Sequence, residues 1–186
     1  MSNTREKILI VAEELIQKFG VSAMSYQHIA DEVGIKKASI HHHFPKKDDL
    51  IQDLLNRCSE RYSERYHAII RSDISALNKL EKISEIFSAS LKEGKVCIFG
   101  MISANANVLN KEAKKALEAS LQKTIDQFTI IFEQGKKDKT LRVTSSKDTS
   151  YTFFSALQGM QIVARVRMDT EGFENAVKAL ISSWKV

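Results

Sequence analysis

Proline and glycine are scarce in this chain: Pro45 is the only proline, and there are seven glycines among 186 residues. Strands need such residues at the turns between them, so their scarcity predicts an all-helical fold. Cysteine is scarce as well. Cys58 and Cys97 are too few for a disulfide framework and have no metal-ligand spacing around them, which indicates thiols in a reducing cytoplasm.

A long apolar run is also missing. Residues 1–7 are polar, and no later segment approaches the roughly 20 apolar residues that cross a bilayer. We therefore expect a soluble, cytoplasmic protein with no membrane partner. The chain has 28 Lys and Arg residues against 23 Asp and Glu residues, and this net charge of +5 permits binding to a polyanion without establishing it.

Apolar residues repeat at helical spacing along the chain and predict about nine helices. Ser25 is the expected N-cap of the second helix, Gly34 ends that helix, and Pro45 closes the third. We place the helices at about residues 5–19, 26–33, 37–43, 48–71, 74–93, 96–109, 111–134, 148–167 and 171–184, with Ser72 or Asp73 capping the fifth and Asn110 the seventh. The polar, basic segment 135–147 is expected to be a loop.

The segment from Lys36 to Lys47 carries four lysines and three histidines and no acidic residue, so positive charge is concentrated on one short helix. Two short helices around a tight turn are typical of a DNA-binding helix-turn-helix, whose second helix fits the major groove. This helix has no arginine, so guanine recognition would depend on lysine. The candidate DNA-binding residues are Ser25, Tyr26, Gln27, Lys36, Lys37, Ser39, His41, His42 and Lys47.

Three consecutive histidines, residues 41–43, suggest a metal site as an alternative. Successive residues of a helix point about 100° apart, so these side chains cannot converge on one ion. We predict no metal and no cofactor, and we expect His43 to pack against the supporting helices. The break from Pro45 to Lys47 predicts a DNA-binding domain over residues 1–47 and a larger helical bundle over residues 48–186.

Three motifs stand in the N-terminal segment: Ile29-Ala30, Val33-Gly34-Ile35 and Lys37-Ala38-Ser39-Ile40-His41-His42-His43-Phe44, followed by Lys47 and Leu50. Together they resemble the DNA-binding domain of TetR-family (TetR/AcrR) transcriptional regulators over about the first 55 residues. The resemblance implies a homodimer that binds an inverted-repeat operator in double-stranded DNA. It also implies a C-terminal domain that binds a small-molecule effector and thereby releases the DNA, as a repressor does.

Three positions depart from the usual pattern of that family. Lys36 stands where a small capping residue is usual, and Lys46 stands where a serine is usual. His41 occupies the place of a phosphate-contacting tyrosine, so the chemistry of one phosphate contact differs.

The remaining two thirds of the chain supply candidates for an effector site and a dimer interface. A pocket between helices combines apolar walls with a few polar groups, and the candidates are Tyr62, Tyr66, Phe87, Cys97, Phe99, Met101, Asn105, Phe128, Phe132, Phe154 and Gln158. The helix over 148–167 is apolar on more than one face, which predicts burial on two sides. The last two helices are therefore expected to dimerise, with an internal core of one subunit as the alternative. The candidate interface residues are Tyr151, Leu157, Phe173, Val177, Leu180 and Trp184.

Other functions stay open at this point. Cys97 follows Lys95, and because a nearby cation favours the thiolate, Cys97 is either a sensor of oxidants or electrophiles or a buried, inert thiol. A constitutive or architectural DNA-binding protein without an effector fits the same pattern, and so does an activator. No catalytic triad order, glycine-rich phosphate loop or pair of carboxylates stands out, so an enzyme is not expected.

Overall fold

The computed structural model describes residues 4–186 and contains, within that range, nine α-helices and no β-strand. The helices are α1 (Thr4–Phe19), α2 (Tyr26–Val33), α3 (Lys37–His43), α4 (Lys47–Arg71), α5 (Ala76–Lys92), α6 (Ile98–Ser103), α7 (Lys111–Lys137), α8 (Ser146–Arg167) and α9 (Thr170–Ser182). A short 3-10 helix, Ala106–Val108, lies between α6 and α7. The all-helical expectation is confirmed. Among the helices of residues 4–186, none combines the length and the apolar character that a membrane crossing requires.

The chain folds as two compact units that do not follow the order of the sequence. The first unit comprises the residues up to Ser59 together with Ile98–Ser120, and the second comprises Glu60–Cys97 together with Leu121–Val186. The long helices α4 and α7 each begin in the first unit and continue into the second. As a result, α6 and the start of α7 belong to the same unit as α1, α2 and α3.

Local signals set the ends of α2. The Ser25 side chain accepts a hydrogen bond from the His28 backbone N–H (3.1 Å), and Gly34 adopts a left-handed φ of 73° while its N–H donates to the Ala30 carbonyl. Ser25 as N-cap and Gly34 as helix end are therefore confirmed. The next helix, α3, ends at His43, and its C-cap is the buried Phe44, which cannot extend the helix into Pro45.

Ion pairs link α1 to α4 within the first unit. The Arg57 guanidinium donates to Glu13 (2.8 Å) and to Glu6 (2.7 Å), and Arg5 pairs with Asp53. Because Glu13 is buried, Arg57 offsets part of the cost of removing its carboxylate from water. Apolar side chains complete the core of this unit, among them Ile8, Ile16, Ile29, Ile40, Phe44, Leu50 and Leu54.

Aromatic rings occupy the centre of the second unit. The Trp184 ring packs edge-on against Phe132 and Phe153, with ring centroids 5.1 and 5.9 Å apart. Phe128 packs in the same way against Tyr66 at 5.2 Å. Such edge-to-face pairs add to the stabilisation that burial of the rings provides.

The start of α5 differs from the expectation. The helix begins at Ala76 with Ser75 as its N-cap, so the predicted caps, Ser72 and Asp73, are wrong. The physical reason lies at the end of α4, where the Ser72 hydroxyl donates to the Ile69 carbonyl (2.6 Å). Ser72 therefore closes the preceding helix instead of opening the next one.

The predicted start of α7 is confirmed, whereas its predicted end is wrong. Asn110 caps the helix as expected, because its side-chain oxygen accepts the Ala113 N–H (2.8 Å). At the other end the helix continues past Gly135 to Lys137, so the loop is shorter than predicted. At Gly135 the Leu141 side chain and the Ala76 Cβ pack directly on the helix, so there is no room for a side chain; an added Cβ would lie 2.8 Å from the Ala76 Cβ.

Candidate functional site

The outward side of α3 presents a row of polar side chains. Ile40, on the opposite side of the helix, is fully buried, and this burial fixes the rotation of α3 about its axis. The exposed residues are Lys36, Lys37, His41 and His42, with Ser39 half-buried among them. Lysine and imidazole groups can donate to phosphates, and lysine, serine and histidine can also reach base edges. This side of α3 has the size and chemistry of a surface that enters the major groove.

Tyr26, expected among the DNA-binding residues, is instead buried at the start of α2. Its hydroxyl donates to the Phe44 backbone carbonyl (2.8 Å), and the His41 ring packs edge-on against its ring at 4.8 Å. Burial raises the pKa of Tyr26 to about 12, and the carboxylates of Asp49 and Asp48 add to this increase. Tyr26 thus ties the start of α2 to the end of α3 and supports His41.

Three other candidates in this domain have partners of their own. The Lys47 Nζ donates to the Val21 carbonyl (2.7 Å), and partial burial lowers the pKa of the Lys47 ammonium. Ser25 is engaged as the cap of α2. Gln27 is exposed, and its amide donates to the Asp31 carboxylate (2.8 Å). Gln27 is exposed and the Lys47 ammonium is only partly buried, so each has to release its partner in the protein before it binds DNA.

The three histidines of α3 have different surroundings. His41 packs on Tyr26, whereas the His42 and His43 rings meet edge-on at 5.5 Å. His43 is half-buried. Residues 4–186 contain no group of three His, Cys, Asp or Glu side chains placed to hold a metal ion.

A narrow cavity lies within the second unit. Four of the expected effector-site residues line it, namely Tyr62, Tyr66, Phe87 and Cys97, together with Ile86, Ser90 and Gln161. Its volume is about 10 Å³, which is close to the minimum space for one water molecule. Burial, together with the nearby Cys97 and Tyr62, raises the pKa of Tyr66 well above its usual value. The space between these side chains is therefore narrow, and the Tyr66 hydroxyl is buried beside it.

Gln161 is absent from the sequence-based candidates, yet it makes the most specific contacts in the cavity wall. Its side-chain oxygen accepts the Cys97 backbone N–H (3.0 Å), and its side-chain nitrogen donates to the Phe87 carbonyl (2.9 Å). The residue is fully buried in α8. The available signal in the sequence was a glutamine among the apolar residues of a helix, since a buried carboxamide requires partners.

The other effector-site candidates do not line this cavity. Phe99, Met101 and Asn105 belong to the first unit, where Asn105 accepts a hydrogen bond from the Ser22 hydroxyl (3.4 Å). Aromatic packing engages Phe128, Phe132 and Phe154. Gln158 has both polar atoms of its side chain buried without a hydrogen bond to any residue of the range 4–186.

One face of α8 is apolar and exposed. Val163 and Val166 are 58% and 77% exposed, and Tyr151 and Ile162 are exposed with them. An open groove of about 530 Å³ between α8 and α9 borders this face. The expected interface residues fall into three groups: Tyr151 is exposed, Leu180 and Trp184 are half-buried, and Leu157, Phe173 and Val177 are instead buried in the core of their own unit. The second unit thus buries one side of α8 itself and leaves the other side uncovered.

Comparison with known proteins relates this geometry to a family. Residues 8–54, which include α2, α3 and the start of α4, match the family of bacterial regulatory proteins of the tetR type. The HTH-type transcriptional repressor KstR2 of Mycobacterium tuberculosis is 29% identical over 92 residues, which are 50% of this chain and 44% of KstR2. The chain therefore aligns with less than half the length of that relative.

Two further similarities extend over the whole chain. The uncharacterized HTH-type transcriptional regulator in the lacX 3′ region of Lactococcus lactis is 24% identical over 192 aligned positions, which span 100% of this chain and 95% of that protein. The crystal structure of a TetR transcriptional regulator from Legionella pneumophila has 29% sequence identity and a TM-score of 0.89, covering 98% of this chain and 97% of that one. The match over residues 8–54 shows a helix-turn-helix domain of the tetR type, and the Legionella structure shows that the chain shares the fold of a TetR transcriptional regulator along its whole length.

Proposed function

We propose that the protein is a homodimeric transcriptional repressor that binds an inverted-repeat operator in double-stranded DNA and is released from it by a small-molecule effector. The observation that carries this proposal is the exposed polar side of α3, held in place by the burial of Ile40 and by the hydrogen bond from Tyr26 to Phe44. The likeness to KstR2, which is a repressor, supports repression over activation.

The side chains of α3 divide by chemistry. Lys37 and His41 are suited to phosphates, and Lys47 joins them if its ammonium leaves the Val21 carbonyl. Lys36, Ser39 and His42 can reach either phosphates or base edges. Tyr26 acts as a support for the helix and not as a contact. This division predicts that the first set controls affinity for all sequences and the second set controls preference among them.

The uncovered face of α8 is the proposed dimer interface. A second copy of the chain would cover Val163, Val166 and the groove beside them, and would place two α3 helices on one inverted repeat. Val163→Glu should shift the protein from dimer to monomer in sedimentation velocity. Val108→Glu, a change of the same kind at a residue that is 75% exposed in the first unit, should leave the dimer intact.

The effector site is proposed at the cavity lined by Tyr62, Tyr66 and Cys97. Because its volume is about 10 Å³, an effector must separate the walls before it can bind. This small volume favours a second candidate function, a constitutive DNA-binding protein with no effector. Native mass spectrometry of freshly purified protein separates the two: a retained small molecule supports the sensor, and an empty dimer with operator affinity indifferent to metabolites supports the second candidate.

The DNA-binding proposal can be tested with selected duplexes. Selection from random double-stranded DNA should enrich an inverted repeat. Lys37→Ala should weaken binding to every duplex, whereas Ser39→Ala should change the preferred bases. Lys123→Ala, which removes the same charge from an exposed position on α7, is the matched control and should bind as the wild type does. Selection that enriches no sequence would reject the proposed function.

A further inference from the structure

Gln161 joins three segments of the second unit through one buried side chain. It lies on α8, its nitrogen donates to the Phe87 carbonyl on α5, and its oxygen accepts the Cys97 N–H just before α6. These two hydrogen bonds are called the Gln161 bridge. Both partners are backbone groups, so the bridge fixes the positions of main-chain segments and not merely of side chains. A wall of the cavity depends on it.

The segment that the bridge holds continues directly into the first unit. Cys97 is followed by Ile98, the first residue of α6, and α6 packs against the end of α1. A Cβ placed on Gly20 would lie 3.5 Å from the Met101 Cε, and the Ser22 hydroxyl donates to Asn105 after α6 (3.4 Å). The position of α6 and the conformation of the turn after α1 are therefore linked by direct contacts.

The same turn also contacts the start of α4, which follows the helix-turn-helix. Val21 lies between Gly20 and Ser22 and is buried. Its carbonyl accepts a hydrogen bond (2.7 Å) from the ammonium of Lys47, at the start of α4. The three successive residues of this turn thus have three different neighbours: Gly20 lies next to α6, Val21 binds the Lys47 side chain, and Ser22 binds the segment after α6. A displacement of α6 would act first on this turn and on Lys47, which is a candidate for phosphate contact.

We infer that Gln161 is a positioning residue for DNA binding: its bridge holds the Cys97 backbone and, through the covalently attached α6, the turn after α1 in the DNA-binding arrangement. The inference rests on the proposed function and adds the group through which the cavity regulates it. An effector that enters a cavity of about 10 Å³ must move its walls, and Gln161 is one of them. Loss of the bridge removes the hydrogen bond that holds the Cys97 N–H next to the start of α6.

A matched pair of substitutions tests this role. Gln161→Met keeps the size of the side chain and removes both hydrogen bonds. Gln127→Met is the control, because Gln127 is also a buried glutamine of the second unit; its amide donates to the Ser63 carbonyl (3.1 Å) and hydroxyl (3.0 Å), and it does not line the cavity. Both variants should be destabilised to a similar degree, since each loses buried hydrogen bonds.

Only Gln161→Met should weaken operator binding without any effector. The expected loss is about tenfold, because of the two hydrogen bonds removed only the one to the Cys97 N–H leads into α6, and one buried hydrogen bond changes an equilibrium constant by about that factor. It should also speed hydrogen exchange of the amides from Cys97 to Ser103, while Gln127→Met leaves them unchanged. Equal operator affinity in Gln161→Met and the wild type would overturn the inference, and so would an equal loss in both variants.

A measurement on the wild type remains decisive if Gln161→Met does not fold. Coupling between two sites is reciprocal, so operator DNA should slow exchange of the Cys97 amide if the bridge and DNA binding are linked. An unchanged exchange rate on addition of saturating operator would overturn the inference. If the wild-type protein binds no selected operator, the proposed function itself is rejected. This outcome differs from one in which the operator binds but the exchange rate stays the same, which rejects only the role of Gln161.

Discussion

Tyr26→Phe removes a single hydroxyl from the helix-turn-helix, and we expect it to lower the free energy of unfolding by about 1–2 kcal/mol. The hydroxyl donates to the Phe44 carbonyl at 2.8 Å in a buried setting. A hydrogen bond within a protein contributes about 0.5–1.5 kcal/mol net, and a buried carbonyl left without its donor adds a desolvation cost. Urea unfolding at neutral pH, followed by circular dichroism, measures the difference.

The same variant should change the response to alkaline pH. Burial raises the pKa of Tyr26 to about 12 from an ordinary value of 10.0, so the folded chain holds the phenolic proton more tightly than the unfolded chain. The stabilisation this provides is fully present below about pH 10 and is lost as the pH rises through about 12. Two pKa units correspond to at most about 2.7 kcal/mol, and residual solvent access reduces this to about 1–2 kcal/mol. Tyr26→Phe should lack the part of the alkaline loss that comes from Tyr26, while the part that comes from the buried Tyr66 remains.

The control is Tyr151→Phe, because the Tyr151 ring is exposed. It should unfold like the wild type at neutral pH. A Tyr26→Phe protein as stable as the wild type, with an unchanged alkaline loss, would refute the role of the hydroxyl as a tie between α2 and α3. Weaker operator binding with unchanged stability would restore Tyr26 as a direct phosphate contact.

Other residues give shorter tests. Arg57→Met should lower the free energy of unfolding in urea by about 2 kcal/mol, which is less than the 3–5 kcal/mol of a fully buried ion pair because Arg57 is partly exposed. Adding Glu13→Gln should restore part of this stability, and no restoration would mean that the unpaired Glu13 carboxylate is not the cause. Gly135→Ala should cost about 1–3 kcal/mol because the Ala76 Cβ would lie 2.8 Å from the new Cβ, while Lys137→Ala, on the exposed side of the same turn, should stay within about 0.5 kcal/mol of the wild type. Cys97 is only 9% exposed and Cys58 is fully buried, so N-ethylmaleimide should label neither thiol in the folded protein and both in urea; rapid, selective labelling of Cys97 would instead support thiol-based sensing.

Sequence predicted best those features that a few neighbouring residues determine. The cap at Ser25, the left-handed stop at Gly34 and the cap at Asn110 each involve partners three or four positions away, so their geometry is encoded locally. The exposed polar side of α3 follows from helical periodicity in the same way. Ser72 shows the limit of this reasoning, because a serine near two helix ends can close one as readily as it opens the other.

The features that sequence did not predict depend on partners far along the chain. Tyr26 is turned inward by a carbonyl 18 residues away, and Gln161 is held by backbone groups 64 and 74 residues away. The spacing of apolar residues predicts that α8 is apolar on two faces, but it does not indicate which face the second unit buries. Leu157 therefore lies in the core, whereas Val163, on another side of the same helix, is exposed.

The salt dependence of operator binding tests the central claim most directly. Fluorescence anisotropy with a selected inverted-repeat duplex and its scrambled counterpart should give a steep fall of affinity with salt for both, and tighter binding to the inverted repeat. Lys37→Ala should reduce the slope of log affinity against log salt by about two for a dimer, one phosphate contact in each subunit. Equal affinity for the two duplexes, together with an unchanged slope in Lys37→Ala, would contradict recognition of DNA through α3.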